Sequence, residues 1–89
     1  MKLNDLITYR EVEDSVIIIT PWDNAMHILE DTGKFIFENM LKGVDEERML
    51  DMIIEEYDVS KDEAKKDLNE FINSLKFKKI FIEEDEWNF

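Results

Sequence analysis

The residue types that could carry out chemistry are few in this chain of 89 residues. There is no cysteine, which excludes thiolate catalysis, disulfide bonds and cysteine zinc sites. His27 is the only histidine, and neither a metal site nor a catalytic triad can be assembled around it from partners at suitable spacing. We therefore interpret His27 as a strand histidine with a structural hydrogen bond.

The carboxylates and glycines give no catalytic signal either. Most of the 23 acidic residues fall at predicted helix caps or exposed helix faces, where a catalytic pair cannot be told from solvated charges. The two glycines, Gly33 and Gly43, are too far apart in sequence to form a phosphate-binding loop. We expect a protein that is not an enzyme and that uses no cofactor and no metal.

The charge balance limits the class of partner. The net charge of −12, from 23 acidic and 11 basic residues, would repel the phosphate backbone of a nucleic acid. The same charge would attract a basic partner, although an ordinary solvated surface explains it as well. The longest wholly apolar run, residues 16–19, is far shorter than the roughly 20 residues that span a bilayer, and the N-terminus does not resemble a signal peptide. We expect a cytoplasmic protein that binds neither nucleic acid nor membrane.

Strand patterns fill the first third of the chain. Residues 6–12 and the β-branched residues 16–20 predict a hairpin that turns at residues 13–15. Pro21 interrupts the ladder, and residues 22–29 predict a third, weaker strand. Alternation along this strand puts two sets of side chains on opposite faces: Trp22, Asn24, Met26 and Ile28 on one, Asp23, Ala25, His27 and Leu29 on the other.

Helical periodicity then replaces alternation. A first helix, capped by Asp31 or Thr32, ends at Gly43, and Asp45 caps a second helix. Ser60 and Glu63 form a capping box at the start of a third helix, whose apolar face is Ala64, Leu68, Phe71, Ile72 and Leu75. Residues 78–82 are compatible with a short closing strand.

The order of elements predicts an α+β, winged-helix-like fold, in which three N-terminal antiparallel strands precede a three-helix bundle. The length of the chain suits one domain, which we place at residues 1–82. Residues 83–89 are acidic and aromatic, and we expect them to form a loosely held tail.

Residues 28–82 resemble the PqqD-like family, whose members are also called RiPP recognition elements. The resemblance rests on an ordered set of segments: Leu29–Gly33, Ile36–Phe37, Leu41–Gly43, Glu56–Ser60 and Asp67–Leu75. Two residues depart from the family pattern, because Glu30 replaces the usual Asn and Arg48 stands where Glu is common.

The resemblance implies a non-catalytic peptide-binding chaperone. Such a protein captures the leader segment of a ribosomally synthesised precursor peptide and presents it to a modifying enzyme, such as a radical maturase. The peptide would add as a strand to the third strand, in the groove beside the third helix. The protein would act as a monomer or a homodimer.

The resemblance also implies the residues of the peptide site. On the third strand they are Asn24, Ala25, Met26, His27 and Ile28. On the third helix they are Asp67, Phe71 and Ser74, with Lys65 on the opposite rim of the same apolar face. Asp67 would pair with a leader Lys or Arg.

Ordinary structural roles are alternatives to these assignments. Phe71 and Met26 suit core packing as well as peptide contact, and Asp67 suits a solvated helix charge. Two other functions also remain open. One is a winged-helix transcription regulator, and the other is a protein–protein adaptor that uses its acidic surface. The acids that surround Lys61, Lys65 and Lys66 make the third helix unlike a DNA recognition helix.

Overall fold

The computed structural model describes residues 1–84 and confirms the predicted fold class, because three antiparallel strands precede three helices. A short strand lies at each end of the described chain. The strands are β1 (Lys2–Leu3), β2 (Thr8–Val12), β3 (Ser15–Thr20), β4 (Ala25–Glu30) and β5 (Phe81–Ile82), and the helices are α1 (Asp31–Leu41), α2 (Glu46–Tyr57) and α3 (Lys61–Phe77).

The main sheet has the order β2-β3-β4, and both pairs of strands are antiparallel. Burial alternates along β3, since Val16, Ile18 and Thr20 are fully buried whereas the residues between them are not. The inner face of the sheet therefore packs on the helices. Their partners Leu29, His27 and Ala25 place alternate residues of β4 on the same inner face.

The third strand of this sheet is shorter than the sequence predicted. It begins at Ala25, because residues 21–24 form a turn. Asn24 has a φ of 58°, in the left-handed region that asparagine tolerates, and the Asp23 side chain accepts a hydrogen bond from the Ala25 N–H. From Ala25 onward the predicted alternation of faces is confirmed.

Two of the three predicted helix starts are confirmed. Asp45 Oδ1 accepts from the Arg48 N–H at 2.8 Å, and Ser60 Oγ accepts from the Glu63 N–H at 3.2 Å. The start of α1 is a correction: Glu30 occupies the N-cap position and makes no side-chain capping bond there. The predicted stop at Gly43 is confirmed, with a φ of 81° that favours glycine.

The core consists of two clusters, and the partly buried Met1, Met40 and Phe71 pack against both. One cluster lies between the sheet and the chain termini and includes Phe37 and Phe81, whose rings meet edge to face at 5.7 Å. The other lies between the helices and includes Ile53 and Leu68. The core therefore spans both layers of the domain.

The chain termini are tied together by a feature that the sequence did not predict. Strand β1 pairs antiparallel with β5, and the buried Asn4 donates from Nδ2 to the Lys79 carbonyl at 2.9 Å. The terminal ammonium lies 3.0 Å from Glu84 Oε1. The first two residues of the predicted tail thus touch the domain, since Glu83 also pairs with Lys76. Residues 85–89 lie outside the described part of the chain, so the tail itself stays a prediction.

None of the helices in residues 1–84 is both long enough and apolar enough to span a lipid bilayer.

Candidate functional site

The outer edge of β4 is the most distinctive feature of the sheet. Within residues 1–84, β4 pairs only with β3, so its other edge has no partner strand. Alternate residues of an edge strand point their N–H and C=O groups away from the sheet, and such a row is a template for another strand. This edge can therefore accept an extended backbone.

The side chains of β4 also suit the addition of a strand. Residues 25–29 include no Asp, Glu, Lys or Arg, whereas the other edge strand, β2, carries Arg10 and Glu11. Charges on an edge strand are a common protection against unwanted pairing. On the outer face Met26 and Ile28 are 62% and 58% exposed. Their exposure decides against core packing for Met26.

The resemblance predicts a groove along this edge, between β4 and α3. Helix α3 packs chiefly on α2 and β5. Phe71 is half-buried and lies close to the point where β4 passes into α1, since a Cβ on Gly33 would lie 3.3 Å from Phe71 Cε1 and 3.9 Å from Leu29 Cβ. The ring therefore offers an apolar surface near the α1 end of β4.

Three of the predicted helix residues share one side of α3. At 3.6 residues per turn, Asp67, Phe71 and Ser74 fall within about 60° of one another around the helix axis. Asp67 is exposed and Ser74 is half-buried, so they border the buried face instead of lying within it. The structure thus places these two residues on the same rim as Phe71.

Lys65 is not brought to this rim. It lies about 160° from Asp67 around the helix axis, on the side of α3 that faces α2. There it lines a cleft with Lys61 and with Glu46 and Glu47 of α2. The buried face of α3 separates Lys65 from Asp67.

Hydrogen bonds organise the entry to β4. The Thr20 hydroxyl bonds to Asp23 Oδ1 and lies 3.1 Å from His27 Nε2. The bond from Thr20 lowers the pKa of Asp23 below its usual 3.8, and the backbone bond from Ala25 and the nearby His27 act in the same direction. His27 therefore has the structural hydrogen bond that the sequence predicted. Asn24 lies in the turn just before the strand, one residue from Ala25.

A further cleft and a carboxyl with a raised pKa lie away from β4. A cleft of about 310 Å³ between the end of α1, the start of α2 and β5 is lined mainly by apolar residues, among them Met40, Met49 and Phe81. The pKa of Glu38 is raised, chiefly by its hydrogen bond with Glu11. In residues 1–84 no three potential metal ligands are grouped closely enough to hold a metal ion. The described candidate site is therefore an open strand edge with the ring of Phe71 near one end.

Sequence reasoning missed two contributors to this groove. The sequence pattern gives no packing reason for Gly33, but the close approach of Phe71 makes the absence of a side chain useful there. The pattern likewise gives Thr20 no role beyond strand formation, but Thr20 anchors His27. The resemblance had drawn attention to Thr32-Gly33, whereas nothing in the sequence pointed to Thr20.

Comparisons with known proteins agree with this architecture. Residues 15–80 match the family model described as coenzyme PQQ synthesis protein D (PqqD). No curated protein matches the chain.

Two solved structures share the fold. The structure described as TbiB1 in complex with the TbiA(beta) leader peptide has a TM-score of 0.85 and 24% identity, with 98% of this chain and 99% of that chain covered. The lasso peptide synthetase B1 complexed with the leader peptide has a TM-score of 0.84 and 20% identity, with 92% and 96% covered. At these identities the likeness establishes the fold.

Proposed function

The chain belongs to the PqqD family, and we propose that it is a RiPP recognition element that binds the leader segment of a ribosomally synthesised precursor peptide. The observation that carries this proposal is the vacant edge of β4, uncharged from Ala25 to Leu29, beside the half-buried ring of Phe71. Both similar structures are of proteins bound to a leader peptide.

Binding proceeds by strand addition. Backbone groups of β4 pair with an extended segment of the leader, and this pairing supplies affinity that depends little on the leader sequence. Side chains of the added strand alternate between two surfaces. One set lies beside Met26 and Ile28 on the outer face, and the other enters the groove toward Phe71.

Apolar leader residues suit both surfaces. The thioether of Met26 adapts to apolar partners of different shapes, and the aromatic ring of Phe71 offers a large contact area in a position that the peptide would shield from water. Asp67, exposed on the rim, pairs with a Lys or Arg of the leader, which the net charge of −12 also favours. Ser74 offers a hydroxyl on the same rim. Lys65, on the α2 side of α3, takes no part in this groove.

The protein itself performs no bond chemistry in this proposal. It holds the leader, while a separate modifying enzyme, such as a radical maturase, acts on another part of the precursor. Strand addition at β4 requires one copy of the chain, and a homodimer that paired two β4 edges would compete with the peptide.

A transcription regulator is less consistent with the surface of α3. Its lysines at positions 61, 65 and 66 alternate with acids, and two of them share a cleft with Glu46 and Glu47. This mixed surface lacks the continuous positive charge that phosphate contacts require. Specific retention of duplex DNA in a gel-shift assay at low salt would reverse this ranking.

The test is a titration of ¹⁵N-labelled protein with leader peptides, followed by NMR. The probes are the TbiA(beta) leader peptide, the leader of a precursor encoded beside this gene, and a scrambled version of each. We expect micromolar or tighter binding of an intact leader, with shifts concentrated at residues 24–28 and at Asp67, Phe71 and Ser74. Shifts confined to β2 or to the α2–α3 cleft, or no binding by either leader, would contradict the proposal.

A further inference from the structure

Thr20, Asp23 and His27 form a hydrogen-bonded chain at the start of β4. Thr20 is fully buried, and its Oγ1 bonds to Asp23 Oδ1 while lying 3.1 Å from His27 Nε2. The same Asp23 oxygen accepts from the Ala25 N–H at 3.2 Å. These hydrogen bonds therefore link the turn, the last residue of β3 and the inner face of β4.

The direction of these hydrogen bonds follows from elementary chemistry. The bond from Thr20 lowers the pKa of Asp23, so this carboxyl is ionised at neutral pH and can only accept. A threonine hydroxyl has one hydrogen, which it donates to Asp23. Its oxygen is then left to accept from His27, which requires a hydrogen on Nε2. The hydrogen bonds among Thr20, Asp23 and His27 thus select the Nε2–H tautomer of the neutral imidazole.

The other ring nitrogen is consequently a hydrogen-bond acceptor. In residues 1–84, Nδ1 of His27 makes no hydrogen bond to the protein. His27 is half-buried on the inner face of the edge strand, between Ala25 and Leu29. Leu29 borders Gly33 and Phe71 at the end of the groove. The imidazole therefore lies on the side of β4 that an added strand would face with alternate side chains.

We propose that Nδ1 of His27 selects a hydrogen-bond donor, such as the side chain of Ser, Thr or Asn, at the leader residue directly opposite His27. This inference rests on the proposed function, because it assigns a specificity to the same groove. Directly opposed residues of neighbouring antiparallel strands have Cβ atoms about 4.5–5.5 Å apart, within reach of a short side chain. An Asp or Glu at that leader position is disfavoured, since it would place an anion against the lone pair of Nδ1 in a chain with a net charge of −12.

The first measurement uses the free protein. Long-range ¹H–¹⁵N correlation spectra under mildly alkaline conditions distinguish the two neutral tautomers, and we expect the Nε2–H form in the wild type. Thr20→Val removes the hydroxyl and should leave a mixture of tautomers, whereas Thr20→Ser keeps it and should retain the wild-type form. A dominant Nδ1–H form in the wild type, or no change in Thr20→Val, would overturn the proposal.

The second measurement uses the TbiA(beta) leader and the leader encoded beside this gene, with the residue opposite His27 located by intermolecular NOEs. His27→Leu removes both ring nitrogens and with them the Nδ1 acceptor. It should weaken binding about fivefold, the worth of one net hydrogen bond. A leader with Ser at that position should bind the wild type about fivefold more tightly than a leader with Ala. The variant should bind the two leaders with similar affinity. In the wild type the Nδ1 resonance should move on binding.

The outcomes separate the two proposals. If wild-type protein binds a leader across β4 and His27→Leu binds it equally well, the role of His27 is overturned and the proposed function stands. If wild-type protein binds no leader, the proposed function fails. The specificity of His27 then fails as well, whichever tautomer the free protein shows.

Discussion

A Cβ atom on Gly33 would lie 3.3 Å from Cε1 of Phe71, so the phenyl ring of α3 rests against the bare backbone at the first turn of α1. This distance is tighter than ordinary van der Waals contact, and a methyl group there would press on the ring. The relationship connects Thr32-Gly33, part of one segment that carries the family resemblance, with the aromatic residue of the proposed peptide site. It gives Gly33 a packing role, because its φ is not in the left-handed region.

Substitution of the two glycines should separate packing from backbone strain. Gly33→Ala gains up to about 1 kcal/mol of helix propensity and crowds a ring that can yield by a few tenths of an ångström. We expect a small change in stability together with altered NMR shifts of the Phe71 ring. Gly43 has a φ of 81° and open space around it, so Gly43→Ala should lose about 1 kcal/mol through strain alone. Urea unfolding measures the stability of both variants. Unchanged NMR shifts of the Phe71 ring in Gly33→Ala would contradict the packing role.

Truncation of Phe71 should affect binding more than folding. Because the ring is half-buried, Phe71→Ala should weaken leader binding at least tenfold, or about 1.4 kcal/mol, and cost less stability than a core truncation. Leu68, on the same helix, is 3% exposed, and Leu68→Ala should lower the free energy of unfolding by about 2–5 kcal/mol. Calorimetric titration and urea unfolding give the two quantities. Unimpaired leader binding by folded Phe71→Ala would remove this residue from the site.

The two sides of α3 should differ in their response to a change of charge. Asp67→Asn should weaken binding of a leader that has a Lys or Arg near this rim, by up to about fivefold because exposed pairs contribute about 0.2–1 kcal/mol. The loss should shrink as salt is added. Lys65→Gln, on the α2 side, is the matched control and should bind as the wild type does. An equal effect of the two variants would place the peptide elsewhere on the helix.

The pairing of backbones can be tested on the peptide alone. N-methylation removes one N–H and adds bulk, so it blocks a strand only at residues whose N–H points to β4. Methylation along the leader should therefore alternate between strong loss and little effect, with a period of two residues. Equal losses at neighbouring positions would indicate a peptide held by its side chains and not by strand addition.

Stability should rise on mild acidification because of Glu11 and Glu38. The hydrogen bond between these two carboxyls requires a shared proton and raises the pKa of Glu38 above 4.5 in the folded protein. Between 4.5 and that raised value, the folded protein binds more protons than the unfolded chain, so stability increases as pH falls through this window. The urea midpoint should reveal this gain, and Glu11→Gln should diminish it. Glu55→Gln, an exposed change on α2, should leave it intact.

Local signals in the sequence were sufficient for most elements. The β-branched run at Val16–Thr20 predicted β3, and the caps at Asp45 and Ser60 predicted the starts of α2 and α3, because each depends on residues within one turn of the chain. The predicted start of the third strand at Trp22 is wrong, because the left-handed turn at Asn24 prevents the strand from beginning before Ala25. Strand β1 was missed because two residues form a strand only when a distant partner, β5, is present.

The sequence by itself determined the alternation of β4, the apolar face of α3, the absence of thiol chemistry and the resemblance to the PqqD family, because these are properties of residue types at fixed local spacing. Only the tertiary structure decided that Phe71 lies beside the point where β4 passes into α1 while Lys65 lines a cleft with α2, and that Thr20 anchors His27. Such relationships depend on how α3 is rotated against the sheet and on which side chains β3 and β4 bring together. Helical periodicity identifies the buried face of α3, but the neighbours on each side of that face are set by packing between elements far apart in the chain.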